Sequence, residues 1–232
     1  MLSTPEFKEF AKDVVLFTNI MSRVEGEKHQ TLLSEKGGTG FPYVVAMSAE
    51  GDVLSELSDR SVDGFKAMMK AAADDLVLRA KKDPTPAERL KILGSDLARG
   101  RIKGPEYRER AAKIEGLDEA GIKERETTIV HLDIDAEMDK LRKAGGPAPE
   151  LRLEIGKIFA GMHKAGRVPT ERRYIGGFYE LMMIYGENEK DPEIFGAALA
   201  KLKEAFGGQK QAEEYFKTQE AKLEAMKAGG AK

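Results

Sequence analysis

The sequence predicts an incomplete α+β domain over residues 1–82, followed by an all-α region over residues 83–232. Three observations carry that division. Short β-branched runs, the signature of buried strands, are confined to the first part of the chain. Asp83-Pro84-Thr85-Pro86 then punctuates the chain, because proline breaks a preceding helix and restrains the residue before it. Beyond that point the segments read as helices, with one further break at Gly145-Gly146-Pro147-Ala148-Pro149.

The elements follow in order. Residues 5–12 read as a short helix, with Thr4 as cap and Pro5 in the first turn. Residues 14–20 (VVLFTNI) are an apolar, β-branched run and read as a buried strand. Residues 26–36 read as a helix that Gly37 and Gly38 stop. Residues 42–48 and 52–57 read as two strands joined by the turn Ala49-Glu50-Gly51-Asp52. Ser61 caps a helix over 61–80, with Asp63 in its first turn. Helices are expected at 86–99, 105–114, 118–143, 150–165, 170–186, 192–206 and 208–227. The last two pairs, about 151–186 and 192–227, have the length of a tetratricopeptide-type repeat. They lack its tryptophan and number only two, so a plain helical bundle fits at least as well.

Composition excludes several functions. Basic and acidic residues number 38 and 40, a balance that lacks the basic excess by which a nucleic-acid binder displaces counterions. No apolar run is long enough to span a bilayer. The N-terminal residues have neither the basic nor the apolar stretch of a signal peptide. There is no cysteine, which rules out disulfides, thiolate metal sites and cysteine nucleophiles. No G-x-S-x-G elbow or Ser–His spacing marks a hydrolase, and no carboxylate pair stands out. No catalytic constellation is therefore expected, nor any cofactor or metal.

Residues 32–54 (LLSEKGGTGFPYVVAMSAEGDVL) and 61–72 (SVDGFKAMMKAA) together form a pattern. A helix ends in glycine, a turn leads to an aromatic residue and proline, and an apolar strand, a hairpin and a helix follow. This resembles the C-terminal part of a thioredoxin-like domain, with residues 14–70 covered. Ser48 departs from the pattern, standing where that family usually has the Asp of Asp-x-x-Gly. The residues alone favour a trans proline opening a strand, whereas the resemblance implies that Pro42 is cis.

In that family a Cys-x-x-Cys segment precedes the region matched here, on a strand lying between those that match 14–20 and 42–48. Two accounts are open: the cysteines and the first half are lost, or a cysteine-bearing segment lies upstream of Met1. Without the central strand, residues 14–20 are expected either to move beside 42–48 through a right-handed crossover, or to be covered by another chain or the helical region. The expected function is that of a redox-inactive thioredoxin-like binding or scaffold module. The alternative is a truncated thiol-disulfide oxidoreductase. Related proteins with helical extensions are often exported, so a longer native N-terminus would allow export. The expected partner is a protein or peptide, and an exposed edge near 14–20 favours a homodimer.

The resemblance implies that the backbone just before Pro42 pairs with an extended segment. Gly40, Phe41, Pro42 and Tyr43 are therefore the candidate peptide-binding residues. Gly37-Gly38-Thr39-Gly40 follows a helix and reads as a stop and turn rather than a phosphate loop. His29, His131 and His163 lack ligand spacing. His131 and Asp133 would face apart on a helix, so both read as a solvated face. Residues 175–185, rich in Gly, Met and aromatics, read as core, with a partner groove as the lesser reading.

Overall fold

A computed structural model describes residues 2–20, 29–38, 40–208 and 212–229. The chain divides into two compact units, Met1–Asp118 and Glu119–Lys232.

The first unit opens with α1 (Pro5–Phe10), where Thr4 Oγ1 accepts the Phe7 N–H and Pro5 occupies the first turn. Helix α2 (Leu32–Glu35) is a single turn. Gly37, with φ of 82°, ends it, and the Gly38 N–H closes back on Leu33 O at 2.7 Å. The helix expected over 26–36 is thus shorter, and its residues 26–28 lie outside the described set. Strands β1 (Val45–Met47) and β2 (Val53–Glu56) pair antiparallel, with a register shift at Ala46/Met47. Their turn needs Gly51 at φ 85°, while Ser48 Oγ accepts the N–H groups of Glu50 and Asp52.

Helix α3 (Val62–Arg79) starts where Ser61 Oγ accepts the Gly64 N–H. Gly64 is required there, since a Cβ would lie 2.0 Å from Asp59 O. Helix α4 (Pro86–Ala98) carries a complete capping box between Thr85 and Glu88, and α5 (Gly104–Ala112) follows.

One correction concerns residues 14–20. They form no strand, and Val15 is 98% exposed. Among the described residues the sheet has only β1 and β2, so the expected shift of 14–20 beside 42–48 does not occur. The physical reason is the lack of a neighbour: a strand forms only against a paired edge, and apolar content alone does not supply one.

The core of this unit is small. Phe7, Ala46, Leu54, Phe65, Met68 and Ala72 are buried together, with the Phe7 and Phe65 rings edge to face at 5.1 Å. Helices α4 and α5 belong with it, so the division falls after residue 118 and not at the Asp83-Pro84-Thr85-Pro86 break. Side chains of α3 and α4 explain why. Asp75 accepts from Arg79 Nε at 2.8 Å, Ser95 Oγ at 2.9 Å and Arg99 Nη1 at 2.7 Å. Asp96 accepts from Arg79 Nη2 at 2.7 Å.

The second unit is all-helical: α6 (Glu119–Ala144), α7 (Pro149–Lys164), α8 (Arg172–Asn188), α9 (Pro192–Phe206) and α10 (Glu213–Gly229). From α7 onward each helix packs on its sequence neighbour. Ile155, Phe159, Phe178, Phe195 and Ala198 are fully buried, and the Phe159 and Phe178 rings stack at 4.6 Å. Within 175–185, Phe178, Tyr179, Leu181, Met182 and Met183 are core, which removes them from any partner groove. The close helix approaches occur at Gly156 and Gly186, where an added Cβ would lie 2.3 Å from Leu181 O and 2.7 Å from Phe195 N. Gly176 has ordinary clearance instead, at 3.8 Å from the Phe206 ring.

Candidate binding site

The four expected residues Gly40, Phe41, Pro42 and Tyr43 form a segment leading into β1. The Phe41-Pro42 peptide is cis. Phe41 points outward and is 70% exposed. Tyr43 is half-buried and donates its hydroxyl to Lys36 O at 2.9 Å, which fixes the segment to the end of α2. Burial first, and the nearby Glu56 carboxylate second, push the Tyr43 phenol up, so it stays a protonated donor at neutral pH.

Phe41, Pro42 and Tyr43, but not Gly40, border a cavity of about 350 Å³. Phe17, Thr18 and Asn19 form one wall, and Pro42 to Val45 with Met47 form the other. Leu32 and Leu33 of α2 line it as well, and Leu2 reaches it from the N-terminal side. The walls are mostly apolar. A volume of this size falls in the range of ligand pockets. Strand β1 pairs with β2 along one edge, and among the described residues its other edge has no strand partner. Val45 and Met47, half-buried, line the cavity, whereas Ala46 between them is buried in the core, as the two-residue period of a strand dictates. The arrangement is a slot with room, a mostly apolar lining and, among the described residues, a neighbouring strand with one edge unpaired.

A larger cavity of about 900 Å³ borders the hairpin and the end of α4. Its cations Arg99 and Arg101 already serve Asp75 and Asp96, and Lys36 Nζ donates to Gly51 O at 2.6 Å. Glu35, Asp52 and Glu56 share the same lining with a fourth cation, Lys103, so charges of both signs are mixed there.

The histidines need a correction. His131 is not on a solvated face; it is 5% exposed. Its Nε2 accepts the Thr170 N–H at 3.4 Å, its Nδ1 lies 3.3 Å from Glu171 Oε1, and its ring stacks on Tyr174 at 4.3 Å. Tyr174 in turn donates to Asp135 at 2.9 Å, and burial with that carboxylate pushes its phenol up to about 12. The expected divergence of His131 and Asp133 does hold, since Asp133 pairs with Arg167. Position 131 is polar amid Val130 and Ile134, and the sequence offered no signal that the Thr170 amide would meet it. Among the described residues no group of three or more His, Asp or Glu could hold a metal.

His131 is held below its ordinary value by burial, against the pull of Glu171, and with help from Arg173. His163 is shifted the same way by burial and Lys201. For a histidine favoured neutral in the folded state, the unfolded chain binds the proton more readily. Its stabilisation is therefore complete above the ordinary histidine value of 6.5 and is lost as pH falls below it. Thermal melts of the second unit are expected to drop in midpoint between neutral pH and pH 5, and the drop should shrink in His131→Gln. An unchanged slope in that variant would remove His131 from the account.

No protein-family model matches the chain. No curated protein and no solved structure shows significant similarity to it. The site must be read from its own geometry.

Proposed function

We propose that this chain is a non-catalytic binding or scaffold module whose first unit accepts an extended apolar peptide segment as an added strand. The carrying observation is the slot beside β1, with its mostly apolar lining and an edge that is unpaired among the described residues. Backbone groups along such an edge supply affinity, and alternate side chains entering the apolar lining supply selectivity. Phe41 stands exposed at the slot as the anchor, flanked by Gly40, Pro42 and Tyr43. The sequence resemblance to thioredoxin-like domains supports the same segment, since it implies peptide pairing just before Pro42. The absence of cysteine leaves no thiol chemistry to this chain.

The test is anisotropy of a labelled seven-residue peptide of alternating valine and threonine titrated with the full chain. Phe41→Asp, at an exposed position, is expected to weaken binding by about tenfold or more. Equal binding by the variant, or none by either protein, would reject the reading.

A second reading has one observation in its favour. Leu2, near the start of the sequence, is among the residues that line the slot. A strand supplied by a longer form of the same polypeptide and carrying Cys-x-x-Cys would make the protein a thiol-disulfide oxidoreductase of which this chain is a part. Intact mass and N-terminal sequencing of the protein from its native source decide between the two.

A further inference from the structure

Polar side chains of α6 fasten the connection between α7 and α8. Asp133 pairs with Arg167, His131 meets Thr170, and Asp135 accepts from Tyr174 in the first turn of α8. The middle contact demands one particular protonation state. His131 Nε2 accepts the Thr170 N–H at 3.4 Å, so that nitrogen carries a lone pair and no proton. The ring proton then sits on Nδ1, which lies 3.3 Å from Glu171 Oε1. The imidazole is stacked on Tyr174 at 4.3 Å, and the residue is 5% exposed.

We infer that His131 is a pH-operated latch: when the imidazole gains a proton, Nε2 changes from acceptor to donor, meets the Thr170 N–H donor to donor, and lets residues 167–171 lift from α6. The charges around the ring do not prevent this. Glu171 is the carboxylate that would welcome the imidazolium, but its side chain is 51% exposed, and its other oxygen already pairs with Arg173 Nε at 2.8 Å. Asp135 is committed to the Tyr174 hydroxyl at 2.9 Å. Arg173, lying over the Tyr174 ring at 4.7 Å, adds a like charge, and burial opposes the cation as well. Asp133 is paired with Arg167. The opening is local, because Val130 and Ile134 beside His131 are buried in the large core with Phe159 and Phe178, and those apolar contacts do not titrate. Residues 167–170 carry no secondary structure and follow Gly166 at φ 71°, which gives the segment a place to turn. Lifting it uncovers Pro169, buried in the middle of the connection.

Hydrogen exchange of the full chain, read by mass spectrometry and corrected for the pH dependence of intrinsic exchange, tests the latch. Between neutral pH and pH 5 the amides of Arg167, Val168, Thr170 and Glu171 should lose protection by about threefold or more, while those in the middle of α8 and α9 keep theirs. His131→Gln, whose side-chain oxygen accepts without titrating, should abolish the change. His163→Gln, replacing the other histidine of the helical unit, should leave it intact. Protection that is the same at both pH values would overturn the inference, as would a loss that persists in His131→Gln or vanishes in His163→Gln. A loss shared equally by α8 and α9 would also overturn it, because the unit then unfolds as a whole. If His131→Gln fails to fold, the ring nitrogens of the unmutated chain decide. Their NMR shifts at neutral pH should show a bare Nε2 and a protonated Nδ1, and the opposite tautomer would reject the latch.

Discussion

Asp75→Ala is expected to lower the stability of the first unit by about 3–5 kcal/mol, the range for removing one partner of a buried ion pair. The Asp75 side chain is 8% exposed and accepts from Arg79, Ser95 and Arg99. Without it, Arg99 loses the 2.7 Å carboxylate contact and Arg79 keeps only Asp96 and Ser95. The cost comes from the charges left behind, not from the intrinsic worth of the pairs. Burial alone would push the Asp75 carboxyl up, but the hydrogen bonds from Arg79, Arg99 and Ser95 hold it down at about 2. A depressed carboxyl stabilises above the ordinary aspartate value of 3.8 and loses that contribution as pH falls through about 2. The shift corresponds to roughly 2 kcal/mol at neutral pH. Urea unfolding of both proteins at pH 7 and at acid pH checks both statements. The two curves should converge as pH drops, and a difference under about 1 kcal/mol at pH 7 would show the network to be dispensable.

Gly156→Leu is expected to cost the second unit about 3 kcal/mol or more, because overpacking here meets backbone. An added Cβ at position 156 would lie 2.3 Å from Leu181 O and 2.8 Å from Tyr185 Cβ. Helices α7 and α8 would have to separate, and with them the stacked Phe159 and Phe178 rings. Gly161 on the same helix provides the control. It has nothing within 4 Å of an added Cβ, so Gly161→Ala should stabilise by roughly 0.5–1 kcal/mol through helix propensity alone. Circular dichroism melts of the two variants should move in opposite directions, and a loss in both would contradict the close-approach argument.

Local chemistry made much of the fold legible. The Thr4, Ser61 and Thr85 caps, the Gly37 stop, the Gly51 turn and the proline breaks each act within a few residues of sequence, and each stands where such residues place it. The apolar face of 175–185 was legible as core for the same reason. What escaped depends on distant partners. The valine-rich character of 14–20 states a preference for strand, but nothing local says whether an edge will be offered to it. His131 looks solvent-facing within its own helix and is buried by Tyr174 and Thr170 from about forty residues away. Asp75 and Arg79 stand four apart on one helix, a spacing that pairs them locally. That Ser95, Asp96 and Arg99 would complete the network could not be read before α3 and α4 were known to meet. The candidate residues Gly40 to Tyr43 were legible through the resemblance, whereas the opposite wall of the slot was not.

The two hydrophobic cores bear on what stability means for this chain. One gathers Phe7, Leu54, Phe65 and Met68; the other gathers a much larger set around Phe159, Phe178 and Phe195. Each core ties together elements of its own unit, so a probe placed in either one reports the loss of that core in particular. A ligand that occupies the slot stabilises the first unit by mass action, which makes a probe in that unit a gauge of occupancy.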